Sequence, residues 1–140
     1  MPLAVIYEDN HLLAVAKPAG LLSQGDAGGE ASLVDLARAY LKERYAKPGN
    51  VYVGLVHRLD RNASGLVLLA RTSKAASRLS ACFRDGTVEK TYLAVCAGLP
   101  SPQQGGLTHW LASTGDRQGV TRAEREPFPD ARESRLSYRV

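Results

Sequence analysis

The chain has 140 residues, of which 44% are hydrophobic and 23% are charged. These values are typical of one globular domain, and no apolar run reaches the roughly 18 residues of a membrane-spanning helix. The formal net charge is +4, and all of the excess lies in residues 71–140, where eleven Lys/Arg accompany seven Asp/Glu. Thirteen of the eighteen basic residues are Arg, which binds phosphate through two parallel donors, so RNA is a candidate partner.

The N-terminal residues lack the basic start of a secretion signal, so we expect a cytoplasmic protein without a membrane partner. Cys82 and Cys96 are too few for a disulfide framework and lack the spacing of metal ligands, which predicts reduced cysteines and no metal site. The glycines at positions 25, 28 and 29 match neither a P-loop nor a dinucleotide fingerprint. We therefore expect no cofactor.

The first 50 residues predict a β-hairpin, a loop and a helix. Apolar runs at residues 3–7 and 11–16 flank the polar turn Glu8-Asp9-Asn10, and Lys17-Pro18-Ala19-Gly20 ends the second run. Residues 23–31 have no apolar period and predict a loop. From Ser32 apolar residues recur at helical spacing, and Asp35 is placed for a capping box; residues 47–50 stop this helix.

Residues 51–96 predict two strands, a helix and a third strand. The apolar runs at residues 51–56 and 66–70 are typical of short buried strands. Ser73 begins a second helical pattern that ends at Asp85-Gly86, and its small residues are expected to face the sheet. Residues 88–96 return to the alternation of a strand.

The last third of the chain is more polar. A turn-rich break at residues 98–106 precedes two strand-like segments, residues 107–111 and 135–140. Residues 113–132 are charged and poor in apolar side chains, which predicts an exposed loop. No internal repeat divides the chain, so we predict a single α+β domain with a mixed, largely antiparallel sheet and flanking helices.

The polar insert at residues 57–65, between two predicted strands, is the most informative stretch. It places one carboxylate, Asp60, between the guanidinium groups of Arg58 and Arg61. A carboxylate beside donors for an anion suits a phosphate-bearing substrate. Taken alone, these residues are also typical of a surface turn with a structural ion pair, and only their wider context separates the two interpretations.

Three motifs in order resemble those of the RluA-type pseudouridine synthases. The family's active-site pattern, His-Arg-Leu-Asp, two variable residues, a small residue and Ser-Gly, is met at residues 57–65, with Ala63 where Thr is commoner. Residues 5–20 resemble its N-terminal motif, which ends in Lys-Pro-Ala-Gly. Residues 89–95 resemble its third motif, Lys-x-Tyr-x-Ala-Val, with Lys90 and Tyr92 at the matching positions.

The resemblance implies a role for each matching residue. Asp60 is the expected catalytic carboxylate, Arg58 is expected to help hold a flipped-out uridine, and Tyr92 is expected to form one wall of the base pocket. Further RNA contacts are expected from His57 and Arg61. The residues expected to support the motifs are Lys17, Pro18, Ser64, Gly65 and Lys90.

The implied activity is the isomerisation of specific uridines in rRNA or tRNA to pseudouridine, without a cofactor. In the family, further strands, helices and a basic motif follow the strand that residues 134–140 resemble, and the sequence lacks them. We therefore expect residues 1–140 to be a single, C-terminally incomplete catalytic domain without an S4-type RNA-binding domain. An open sheet edge would then favour a homodimer.

Two alternatives stay open. The first is a catalytically inactive RNA-binding remnant that keeps the synthase scaffold. The second is a glycosidase-like hydrolase that uses Asp60; this chemistry normally pairs two carboxylates across the bond, and the nearest second acid, Glu89, has no matched spacing.

Overall fold

The computed structural model describes residues 2–25, 28–115 and 120–140, and the chain divides into two compact units, Met1–Thr91 and Tyr92–Val140. One domain can contain two such units, so the expectation of a single domain stays a prediction. In chain order, the first unit contains β1 (Ala4–Glu8), β2 (Leu12–Lys17), α1 (Leu33–Arg44), β3 (Gly54–Leu55), β4 (Gly65–Ala70) and α2 (Ser73–Arg84). The second contains β5 (Gln104–Ser113), β6 (Thr121–Glu124) and β7 (Arg132–Arg139).

The sheet of the first unit has the strand order β1-β2-β4-β3, and every neighbouring pair is antiparallel. The predicted β1–β2 hairpin is confirmed. Its turn forms because the Asp9 carboxylate accepts hydrogen bonds from the backbone N–H groups of His11 (2.7 Å) and Leu12 (2.6 Å). These two bonds also hold the pKa of Asp9 below its ordinary value.

One face of this sheet forms the core with α1. The register pairs Leu13 with Leu69 and Val15 with Val67, so four apolar side chains of β2 and β4 share a face. Each fully buried side chain of this kind contributes about 1.5–3 kcal/mol to folding. The buried cluster consists of Leu13, Val15, Leu33, Val34, Ala37, Leu41, Val53, Val67 and Leu69.

Both predicted helices are confirmed, and local side chains begin them. The Ser32 hydroxyl accepts the Asp35 N–H, and the Asp35 carboxylate accepts the Ser32 N–H at 3.1 Å, which completes the predicted capping box. At α2 the Thr72 hydroxyl accepts the Ala75 N–H at 3.1 Å. α1 ends at Arg44, slightly before the predicted stop, and α2 ends before Asp85 as predicted.

In the first 96 residues, one predicted strand is shorter than expected and another is absent. The run at residues 51–56 is a strand only at Gly54–Leu55, and residues 88–96, all described, form no strand. The side chains of Leu93 and Val95 are fully exposed, and Tyr92 is 65% exposed. Alternating side chains do not make a strand unless a neighbouring strand accepts its backbone hydrogen bonds, and this segment has no such neighbour within the described residues.

The second unit is a three-stranded antiparallel sheet with the order β6-β5-β7. β5 and β7 extend the two strand-like segments that the sequence predicted. The predicted loop at residues 113–132 is wrong over β6, where Arg122 and Ala123 pair with Ala112 and Leu111. Polar residues form this strand because backbone pairing to β5 does not require an apolar face. Positions 116–119 of that loop, and 26–27 of the earlier one, lie outside the described residues.

The fold class is confirmed: antiparallel sheets accompany two helices in an α+β arrangement. Within the described residues, no helix is long and apolar enough to cross a membrane.

Candidate active site

Asp60 lies in the loop between β3 and β4, and its side chain is exposed. The loop turns at this residue, where the Asp60 carbonyl accepts the Ala63 N–H at 3.1 Å. Within the described residues, its carboxylate accepts no hydrogen bond and has no ion-pair partner within 4 Å. The carboxylate is therefore left available to a ligand, while its backbone is held in a turn.

The residues on both sides of Asp60 are bound to the segment after β2. The Ser23 hydroxyl, which is buried, donates to the Leu59 carbonyl at 2.6 Å and accepts the Leu59 N–H at 3.2 Å. On the other side, the Arg61 carbonyl accepts the Gly20 N–H at 2.7 Å. The loop is thus clamped immediately before and after Asp60.

A buried lysine provides the strongest part of this clamp. Lys17 is 1% exposed, and its ammonium donates to the carbonyls of Pro18 (3.1 Å), Leu21 (2.7 Å) and Arg61 (3.2 Å). Burial lowers the pKa of Lys17, and the nearby Asp60 carboxylate opposes this shift. Although Lys17 ends β2, it is not a solvated strand end, because all three ammonium donors are used inside the protein.

The two arginines that flank Asp60 in sequence differ in the structure. Arg61 is engaged elsewhere: its guanidinium pairs with Glu30 at 2.9 Å and donates to the Gly20 carbonyl at 3.2 Å. Arg58 is exposed and has no ion-pair partner within the described residues. Of the two guanidinium groups, the one on Arg58 is therefore the one that stays available to an anion.

His57 is half-buried at the start of the loop. Its Nε2 accepts the Leu68 N–H at 2.9 Å, and its ring stacks on Phe83 with a centroid distance of 4.5 Å and an interplanar angle of 20°. Burial lowers the pKa of His57, and the positive charge of Lys90 lowers it further. The ring therefore makes its contacts in the neutral state.

The Ser-Gly pair ends the loop. Gly65 begins β4 opposite Lys17 with φ +148°, a conformation that favours glycine, and a Cβ there would lie 3.4 Å from Leu59 Cδ1. Ser64 and Lys90 are exposed, and Pro18 is half-buried. Tyr92 belongs to the second unit. The first unit thus brings the N-terminal motif and the active-site motif together.

A cleft of about 260 Å³ lies beside this clamp. Its walls are apolar apart from Lys17, whose ammonium is already bound by carbonyl oxygens. Asp60 and Arg58 are not in the lining, so the polar side chains available to a ligand lie outside this cleft. The lining residues are Pro2, Leu3, Ala4, Ala16, Lys17, Pro18, Leu21, Leu33 and Leu36.

Sequence reasoning missed two contributions to this part of the fold. Ser23 fell in a segment predicted only as a loop, and nothing in the local sequence marks its contact with Leu59, which is 36 residues away. Glu8 was predicted as a turn residue, but its side chain is 10% exposed and binds four others. Its partners are Tyr40 at 2.8 Å, Tyr45 at 2.5 Å, Arg44 at 3.3 Å and Arg71 at 3.0 Å.

This cluster decides the ionisation of Glu8. Burial raises the pKa of the Glu8 carboxyl, but hydrogen bonds from Tyr45 and Tyr40 and the charges of Arg44 and Arg71 together lower it below its ordinary value. The ionised Glu8 therefore joins β1, α1 and the end of β4. Within the described residues, no group of three or more His, Cys, Asp or Glu is placed to hold a metal ion.

The fold and the loop define an α+β protein that carries an exposed carboxylate, Asp60, and an exposed guanidinium, Arg58, on a clamped loop. Residues 11–140 match the family model described as RNA pseudouridylate synthase. Because this match covers most of the chain, the protein belongs to the RNA pseudouridylate synthase family, as the three motifs predicted.

Curated relatives agree with this assignment. The ribosomal large subunit pseudouridine synthase C of Rickettsia bellii is 44% identical over 102 residues, which are 72% of this chain and 32% of that protein. The ribosomal large subunit pseudouridine synthase D of Zymomonas mobilis is 37% identical over 105 residues, 74% of this chain and 33% of that protein. The chain thus spans about a third of the length of these relatives.

Solved structures confirm the fold. Human RNA Pseudouridylate Synthase Domain Containing 4 superposes with a TM-score of 0.78 at 23% identity, over 98% of this chain and 53% of that one. Human RNA Pseudouridylate Synthase Domain Containing 1 gives a TM-score of 0.72 at 20% identity.

Proposed function

We propose that this chain carries the catalytic carboxylate of an enzyme that isomerises uridine to pseudouridine in rRNA or tRNA, and that this carboxylate is Asp60. The observation that carries the proposal is the unusual setting of Asp60. Its neighbours Leu59 and Arg61 are both clamped, yet its own side chain is exposed and, in the described part of the chain, forms no hydrogen bond and no ion pair within 4 Å. This setting fixes the backbone of Asp60 and leaves its carboxylate open to a substrate, as a catalytic acid or base requires.

The proposed reaction is balanced without a cofactor. The bond from ribose C1′ to N1 of uracil breaks, the base turns, and a bond from C1′ to C5 forms. The proton that leaves C5 balances the proton gained at N1, so no oxidant, reductant or energy source is consumed. The chain supplies a carboxylate that is held beside the sugar and base. Holding a catalytic group in place in this way raises the rate of the reaction.

Arg58 is proposed to bind the uridine after it leaves its stack. Extruding a base costs a few kcal/mol, which contacts to the extruded form must offset. The Arg58 guanidinium is exposed, one position before Leu59 in the clamped loop, and has no ion-pair partner in the described residues. It is therefore free to contact a phosphate or stack on a base. Tyr92 is proposed as one wall of the base pocket; RNA contacts of His57 and Arg61 stay predictions.

A reaction on defined transcripts tests the assignment. The chain is incubated with large-subunit ribosomal RNA and with tRNA. The RNA is then digested to nucleosides, and liquid chromatography separates pseudouridine from uridine, which has the same mass, by retention time. Pseudouridine supports a synthase, bound but unchanged RNA supports the inactive RNA-binding remnant, and released uracil supports the hydrolase. Glu89→Gln is the matched control, since Glu89 is the second acid that the hydrolase would need and lies in the exposed segment after α2.

We also propose that the chain forms a homodimer through an open sheet edge. β1 pairs only with β2 within the described residues, and it exposes Ile6 (65%) and Tyr7 (53%). Sedimentation equilibrium of the parent and of Ile6→Lys tests this. A monomeric parent would contradict the proposal, and so would a dimer that Ile6→Lys leaves unchanged.

A further inference from the structure

The side chain of His57 takes the place of a strand residue. The register pairs Gly54 with Ala70 and Leu55 with Leu69, and there β3 ends while β4 continues towards Gly65. The next N–H of β4 on this side is that of Leu68, and it donates to His57 Nε2 at 2.9 Å. A side-chain acceptor thus satisfies a backbone donor that β3 leaves unpaired.

This contact requires a neutral imidazole. An imidazolium has two N–H donors and no acceptor, so His57 can accept the Leu68 N–H only with its proton on Nδ1. The groups packed against the ring keep it neutral: β4 presents the Leu68 N–H, α2 presents the uncharged ring of Phe83, and the segment after α2 brings the positive charge of Lys90.

Two contacts of different kinds therefore fix the ring three residues before Asp60. The hydrogen bond to Leu68 ties it to β4, and the stack on Phe83 sets its plane against α2. The clamps at Leu59 and Arg61 bind the loop to the end of β2 and to the segment that follows it. His57 ties the loop to β4 and α2 instead.

We propose that His57 is a positioning residue for Asp60: its neutral ring holds the entrance of the loop against β4 and α2, and protonation or loss of the acceptor releases it. This inference rests on the proposed function of Asp60. It predicts that turnover falls as the pH drops through the pKa of His57, because the protonated ring no longer accepts the Leu68 N–H.

Two substitutions separate the acceptor from the ring. His57→Gln keeps an oxygen that accepts the Leu68 N–H and does not titrate, whereas His57→Phe keeps an aromatic ring for Phe83 but has no acceptor. We expect His57→Phe to lower kcat about tenfold or more with little change in KM, since a misplaced catalytic group costs rate rather than binding. We expect His57→Gln to keep more of the parental kcat than His57→Phe and to lose the acid limb below the ordinary histidine pKa of about 6.5.

The opposite results overturn the proposal. A His57→Phe enzyme with parental kcat, or an acid limb that persists unchanged in His57→Gln, would show that the ring does not position the loop. Hydrogen exchange of the Leu68 amide in the folded parent gives a readout that needs no activity. Its protection factor, which corrects for the intrinsic pH dependence of exchange, should be high above the His57 pKa and fall below it, while those of the Val67 and Leu69 amides stay high.

This second readout separates the two proposals. A parent without turnover, but with Leu68 exchange that follows His57 protonation, would contradict the proposed function and leave the tie between His57 and β4 standing. Exchange at Leu68 that ignores His57 protonation would overturn the positioning role, whatever the activity.

Discussion

Replacing Lys17 by Met tests the clamp behind Asp60. The substitution keeps an unbranched chain but removes an ammonium that binds three carbonyls. The Arg61 carbonyl retains its bond from the Gly20 N–H, so the carbonyls of Pro18 and Leu21 are the two left without a partner among the described residues.

The size of the effect follows from these two carbonyls. A buried acceptor without a partner costs about 1–3 kcal/mol, which gives about 2–6 kcal/mol for two. Pro18 and Leu21 are only half-buried, so water replaces part of the lost bonds. Removing the ammonium also removes the cost of burying its charge. We therefore expect the free energy of unfolding to fall by about 2 kcal/mol.

Urea unfolding followed by circular dichroism at the helix band measures this change, because both helices belong to the same unit as Lys17. A loss of about 2 kcal/mol should lower the midpoint by about 1 M urea. Lys42→Met is the matched control, since Lys42 is exposed on α1 and makes no ion pair within the described residues; we expect a change below about 0.5 kcal/mol. If Lys17→Met and Lys42→Met have the same midpoint, the carbonyl bonds do not stabilise the fold and the clamp argument is refuted.

Three further outcomes are expected. Asp60→Asn should abolish pseudouridine formation and lower the free energy of unfolding by less than about 1 kcal/mol, since the exposed carboxylate loses only its attraction to Lys17; turnover near the parental rate would remove Asp60 from the catalytic role. The stability that ionised Glu8 contributes is complete above the ordinary glutamate pKa of about 4.3 and is lost as the pH falls through its lowered folded-state pKa; Glu8→Gln should therefore be less stable at pH 7, with a smaller acid dependence, and an unchanged pH profile would contradict this. RNA affinity should fall with salt at a log–log slope of about −0.7 for each single-strand phosphate contact, and a flat response would exclude a mainly electrostatic interface.

Features that depend on a few neighbouring residues could be predicted from the sequence. The capping box at Ser32 and Asp35 and the turn at Asp9 each involve partners at most three residues apart, so the pattern contains the whole interaction. The order of the three motifs predicted the family and the α+β fold class for the same reason, since each motif is continuous in the chain.

The tertiary structure alone decided which charged groups are free. Arg58 and Arg61 are equivalent in the sequence, but Glu30 and the Gly20 carbonyl engage only Arg61. Lys17 has the sequence context of a solvated strand end, yet it is buried, and its ammonium donates to the carbonyl of Arg61, which is 44 residues away in the sequence. A short sequence pattern cannot contain such partners, because they meet only after the β2–β4 register is set.

Backbone pairing decided which of the predicted strands form. Residues 88–96 have the alternation of a strand but lack a neighbouring strand within the described residues, whereas the polar residues of β6 have one in β5. At residues 54–57 the pairing of β3 passes from the backbone to the His57 side chain. Side-chain patterns report which face is apolar, but hydrogen-bond partners along a strand are supplied by distant segments, so only the folded chain determines where β3 stops and where the loop of Asp60 begins.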